Sequence, residues 1–132
     1  MTEEKKQDLR QRLHRAQETL TEARTLKEAG LYIGTVNRLY YACFYAASAL
    51  LETRGLTSSK HSGIIALLHQ HFVKAGIVAD EQGKFYRYLF DTRQRGDYND
   101  YPVFTAEGIE EMFKSATEFI DALSLLTEKQ MG

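Results

Sequence analysis

Leu9, Leu13, Ala16, Leu20, Ala23 and Leu26 follow one another at intervals of three or four residues, the period of one helix face. The pattern predicts a first amphipathic helix over about residues 4–28, with charged residues on its other face and Gly30 as its stop. From residue 31 to about 53 the pattern changes. "LYIGTVNRLYYACFYAASALL" is apolar on nearly every face, as in a helix buried centrally or shared with a second subunit, and Gly55 ends it. Ser58 and Ser59 are N-cap candidates for a third helix carrying Ile64, Ile65, Leu67, Leu68 and Phe72. After Gly76, Asp80 can cap a fourth helix through Phe85, Tyr88, Leu89 and Thr92. "RQRGDYNDYP" interrupts the periodicity, and Thr105 opens a fifth helix running through Ile109, Met112, Phe113, Ala116, Phe119, Ile120, Leu123 and Leu126. The tail "EKQMG" is expected to fray.

Long helices joined by short loops pack as antiparallel neighbours, so the expected fold is all-α, an up-and-down bundle of four to five helices forming one domain over residues 1–132. The all-round apolar second helix, with eight Tyr and seven Phe in the chain, adds the expectation of a homodimer.

Composition narrows the function classes. The apolar fraction of 43% and charged fraction of 27% are those of a globular protein. No apolar run approaches the ~20 residues that span a bilayer, and "MTEEKKQDLRQRLHR" contains no signal-peptide core, so the expectation is a cytoplasmic chain without membrane attachment. A net charge of −1 means that any nucleic-acid contact rests on a local basic cluster rather than a global field.

Cys43 is the single cysteine, which excludes an intrachain disulfide. Its place in the most apolar helix makes it a small hydrophobe rather than a nucleophile. His69 and His71 are two positions apart on a helix and point away from each other; His14 and His61 lack a carboxylate at i+3 or i+4. Neither a metal nor another cofactor is expected. "GLTSSKH" has the look of a phosphate loop but lacks the second glycine and a preceding strand.

Asn37 and Arg38 stand out as the amide and the charge of the stretch from Leu31 to Leu51. A buried guanidinium needs partners. Arg38 therefore either reaches the surface or pairs with Asp91 or Asp97, or it lines a polar cleft. "DTRQRGDYND" offers the other wall: Arg93 with Asp97 and Asp91 with Arg95 are i,i+4 pairs that could simply fix a helix end. Tyr86, Tyr88, Tyr98 and Tyr101 lie around the two arginines, and arginine with tyrosine suits phosphate and bases.

Three stretches together, "VNRLYYACFYAASALL", "SSKHSGIIALLHQHFVKAG" and "LFDTRQRGDY", resemble the HEPN domain family, named for a nucleotide-binding role proposed in higher eukaryotes and prokaryotes. The resemblance covers about Gln7 to Leu126. It implies a HEPN-like bundle, usually a dimer with the long central helices at the interface. It also implies a possible minimal nucleotidyltransferase partner, in pairs that act as toxin and antitoxin. Ribonuclease members carry an Arg-x(4–6)-His motif in a cleft between subunits and cut RNA without a metal. This sequence departs from that motif: positions 98–100 read Tyr, Asn, Asp, positions 100–102 read Asp, Tyr, Pro, and no histidine follows His71. Tyrosine, of pKa ~10, is a poor substitute for an imidazole titrating near neutrality.

The expected role is thus a dimer that binds a nucleotide, RNA or a nucleotidyltransferase through Asn37, Arg38, Tyr41, Lys60, His61, Arg93, Asp97 and Tyr98. Arg93 would contact phosphate, Asp97 would orient an arginine, and Tyr98 would stack. Lys60 and His61 add a helix N-terminus that favours anions. The alternatives are a metal-independent endoribonuclease using Arg93 with His61 or Tyr98, and a structural interaction module.

Overall fold

The computed structural model describes residues 1–97 and 103–132, with side chains at all of these except 96 and 97. They form α1 (Glu3–Glu28), α2 (Tyr32–Glu52), α3 (His61–Leu68), a single π turn (His69–Val73), α4 (Asp80–Asp97) and α5 (Ala106–Met131). The fold is an all-α up-and-down bundle. Thr2 caps α1, its Oγ1 accepting from the Lys5 N–H at 3.1 Å, and Glu3 and Glu4 face the positive end of the helix dipole. At the other end Gly30 takes φ +75°, and the Leu31 N–H reaches back to the Leu26 carbonyl at 2.9 Å. This left-handed residue turns the chain directly into α2.

α2 is the central element, packing against α1, α3, α4 and α5. Val36, Leu39, Tyr40, Cys43, Ala46, Ala47, Leu50 and Leu51 are buried along it. At about 1.5–3 kcal/mol for each large side chain fully buried, this helix anchors the core. One stripe of it, Asn37, Arg38, Tyr41, Phe44, Tyr45 and Ser48, stays half-buried. The uncovered stripe is polar and aromatic, not aliphatic.

The described ends and faces correct several expectations. Lys60, in extended conformation, is the cap residue of α3 rather than Ser58 or Ser59; Ser58, two residues earlier, accepts from the Lys60 N–H at 3.2 Å. Asp80 is already helical and pairs with Lys84 at 3.0 Å rather than capping. α4 does not break at Arg93 but continues to Asp97. On α4 it is Tyr86 that is fully buried, while Tyr88 is 51% exposed. The tail does not fray: α5 runs to Met131, which is buried, and Glu128 meets Arg10 at 3.3 Å. Thr105 does cap α5, with Oγ1 accepting from the Gly108 N–H at 3.0 Å. Among the described residues no helix is long and apolar enough to cross a membrane.

Candidate functional site

Arg38, on the half-buried stripe of α2, donates from Nε and Nη2 to Asn37 Oδ1 at 3.2 and 2.9 Å. Its Nη1 lies 3.5 Å from Glu22 on α1. Among the described residues its ion-pair partner is therefore Glu22 rather than Asp91, the Asp97 side chain lying outside them, and Arg38 also lines a cleft. With its charge balanced, the guanidinium lies over the Tyr41 ring, 5.2 Å from the centroid. Arg93 arrives from α4 and sits over two rings of α2, 5.1 Å from the Tyr40 centroid and 5.2 Å from that of Tyr41. Tyr41 thus carries two guanidiniums, each held by attraction to the ring's negative face. Asn37, Arg38, Thr92 and Arg93 line one cleft of about 280 Å³, closed on its apolar side by Leu26, Val36 and Phe104.

His61, the first residue of α3, joins the same cluster from the other side. Its Nδ1 is 2.7 Å from the Tyr40 hydroxyl, and its ring stacks on Phe44 with centroids 4.6 Å apart. Burial first, and then the Arg93 cation, lower its pKa. Burial pushes the Tyr40 phenol up to about 12, against the opposing pull of Arg93. Both partners are then neutral at neutral pH. A phenol donates more readily than it accepts, so Tyr40 donates to Nδ1 and the imidazole proton resides on Nε2. Behind Tyr40 the aromatic contacts continue inward. Tyr86 stacks on it at 6.0 Å and Phe119 meets Tyr86 at 5.3 Å. The Tyr86 hydroxyl is buried beside Tyr40, and burial raises its pKa well above the ordinary value.

The depressed pKa of His61 has a directional consequence. Its NMR titration midpoint is expected below the ordinary ~6.5, and Arg93→Gln should move that midpoint upward by removing the cation. Because the folded state disfavours protonation, the folded chain loses stability relative to the unfolded as pH falls from ~6.5 through the His61 midpoint. A midpoint unmoved in Arg93→Gln would mean the two side chains are not neighbours in solution.

Gly63, in "KHSG", holds the approach to His61 in place. A Cβ built there would stand 2.0 Å from Ser58 Oγ and 2.8 Å from Ser58 Cβ, so the whole Ser58 side chain packs on the glycine. Gly63→Ala should cost about 1–3 kcal/mol as the loop before α3 is pushed away, overriding the better helix propensity of alanine. Urea denaturation of Gly63→Ala and of Ser58→Gly/Gly63→Ala checks this, the second substitution restoring most of the loss.

Of the residues singled out in the sequence, the fold brings together Asn37, Arg38, Tyr41, His61 and Arg93. Lys60 is exposed beside His61 and does not line the Arg38–Arg93 cleft. The Asp97 side chain, Tyr98 and Tyr101 lie outside the described residues. Tyr40 was missed. It joins Arg93 to His61, and its one trace in the sequence is the Tyr-Tyr pair following Asn37 and Arg38. Among the described residues no group of His, Cys, Asp and Glu could hold a metal ion.

Comparison with known proteins gives the chain a family context. Residues 9–127 match the HEPN domain. A UPF0332 protein of Thermotoga maritima is 43% identical over 114 residues, 86% of each chain. Two proteins of Methanocaldococcus jannaschii named as candidate toxins are also similar. One is 36% identical over 82% of this chain and 80% of its own. The other is 29% identical over 71% of this chain and 64% of its own.

Proposed function

The chain belongs to the HEPN domain family, and on that premise we propose that it is the toxin-like member of a toxin–antitoxin type pair, binding RNA or nucleotide phosphate at the Arg38–Arg93 cleft. The observation that carries this reading is the placement of two guanidiniums on the Tyr41 ring at one cleft. Arg93 would contact phosphate oxygens, Arg38 would add its charge from its place beside Asn37 and Glu22, and Tyr41 would seat both guanidiniums. The names of the two Methanocaldococcus relatives support the toxin-like assignment. The half-buried aromatic stripe of α2 supports a homodimer in which two such clefts adjoin, and a minimal nucleotidyltransferase is the partner that the family resemblance favours. Asp97 would orient an arginine and Tyr98 would stack, with Lys60 adding charge at the rim.

A second reading, metal-independent RNA cleavage, gains one specific observation: His61 lies beside Tyr40 under the influence of Arg93 and stays neutral near pH 7, as a general base must. One experiment separates the two. Labelled single-stranded RNA is incubated with the purified protein in EDTA, affinity is followed against salt, and the same samples are run on a denaturing gel. Affinity falling with salt over intact RNA is the expected result, because phosphate contacts release counterions. RNA cut in wild type but not in His61→Gln would move the assignment to the ribonuclease. No salt-sensitive binding and no cutting would contradict both.

A further inference from the structure

A second cleft, larger than the first, lies toward the opposite end of α4. Its volume is about 560 Å³, and two helix faces form its walls. Ile65, Ala66, His69, Gln70, Val73 and Lys74 make one wall; Asp80, Gly83, Lys84 and Arg87 make the other. The π turn shapes the first wall. The Lys74 N–H reaches His69 O at 2.9 Å, five residues back, so the wider turn sets His69 and Lys74 above one another along the groove. Such turns recur at functional positions. Gly83 shapes the second, since a Cβ there would meet Val73 Cγ2 at 3.0 Å. Its absence lets the two walls join closely at the base.

The chemistry of the rim is one-sided. Lys74, Lys84 and Arg87 face a single carboxylate, Asp80, which Lys84 already engages at 3.0 Å. Lys74 and Arg87 are exposed and make no ion pair among the described residues. In a chain of net charge −1, two uncommitted cations over an apolar base of Ile65, Leu68 and Val73 are a local concentration of positive charge. We infer that this groove is a second anion site that takes a phosphate group, held by Lys74 and Arg87 with Lys84 and Gln70 at its edge. The inference stands apart from the reading of the Arg38–Arg93 cleft, because none of its residues lines that cleft. Arg87 and Arg93 are six positions apart on α4, about 9 Å along its axis, so the two sites are separately addressable.

The phosphate could come from a free polyphosphate or from an RNA strand, and the test has an arm for each. Backbone amide resonances of the wild-type chain are followed while sodium pyrophosphate, or separately a short single-stranded RNA, is added. The expected result is saturable shifts in residues 69–74 and 83–87 with at least one probe. Lys74→Gln/Arg87→Gln should weaken that binding tenfold or more, while Arg93→Ala, whose side chain lines only the other cleft, leaves the pyrophosphate shifts in these residues within twofold. Shifts with pyrophosphate alone identify a small polyphosphate as the source, and shifts with RNA alone identify the strand; either result supports the site. Both replaced residues are exposed, so the double variant should melt within a few degrees of wild type. The inference is overturned if neither probe produces saturable shifts there. It is equally overturned if the double variant binds as wild type does, or if Arg93→Ala abolishes the pyrophosphate shifts.

Discussion

Replacing Arg93 by alanine is expected to weaken binding of single-stranded RNA tenfold to a hundredfold while costing about 1–2 kcal/mol of stability. Hydrogen bonds to a charged group contribute about 1.5–3 kcal/mol each, and 1.4 kcal/mol is tenfold in affinity. The stability cost follows from cation–π contacts of about 0.5–1 kcal/mol each for a partly exposed arginine, of which Arg93 makes two among the described residues, over Tyr40 and Tyr41. The variant should also flatten the dependence of log affinity on log salt by about 1, the contribution of one phosphate contact. Arg93→Lys keeps the charge but not the planar fork, so it should recover the salt slope and only part of the affinity. Fluorescence anisotropy at several salt concentrations measures both quantities. Equal affinity of wild type and Arg93→Ala at every salt would remove Arg93 from the interface.

The largest loss of stability is expected at Phe119. Its ring is fully buried on α5 and touches Tyr86, which stacks on Tyr40, whose hydroxyl holds His61. Phe119→Ala should cost about 3–5 kcal/mol, the lost transfer energy plus that of the cavity left behind. For a chain of this length the melting temperature should fall by about 10 °C or more. The site should suffer as well, since Tyr86 can relax toward the void and draw Tyr40 away from His61. In Phe119→Ala the His61 titration midpoint should therefore move toward its ordinary value. Leu125→Ala, on the same helix but 74% exposed, is the control, with an expected change within about 0.5 kcal/mol. Comparable melting of the two variants would show that Phe119 is not part of the cooperative core.

The parts of the structure legible in the sequence are those decided locally. The i, i+3, i+4 spacing of Leu9 to Ala23 needs only the helix period to predict an inward face, and Gly30 needs only its tolerance of positive φ to predict a stop. α2 was recognisable as central because no polar face exists along it apart from Asn37 and Arg38. What was not legible depends on how helices register against one another. Arg38 pairs with Glu22 because α1 lies alongside α2, and neither sequence position marks the other. Tyr86 and Tyr88 have the same local claim to the core; packing on Tyr40 and Phe119 chooses Tyr86. The π turn at His69–Val73 escapes a 3.6-residue pattern because it closes α3 and lasts only five residues, too few to set a period of its own.

The site divides in the same way. Asn37, Arg38, Tyr41, His61 and Arg93 could be named from residue type, since charges and amides in an apolar setting call for an explanation. That His61 meets Arg93 through Tyr40 could not, because the hydrogen bond joins residues of two helices separated by the loop through Gly55. The geometry also shows how a sequence lacking the Arg-x(4–6)-His histidine still sets an imidazole beside its arginine. α3 delivers it from upstream.

The central claim is that Arg38 and Arg93 act on one ligand in one cleft, and a double-mutant cycle tests it directly. Affinity for a labelled single-stranded RNA would be measured in EDTA for wild type, Arg38→Ala, Arg93→Ala and the double variant. Two guanidiniums on one tyrosine ring predict non-additivity of at least about 0.5 kcal/mol, with each single change already weakening binding. Full wild-type affinity in the double variant, or losses that simply add, would contradict a shared site.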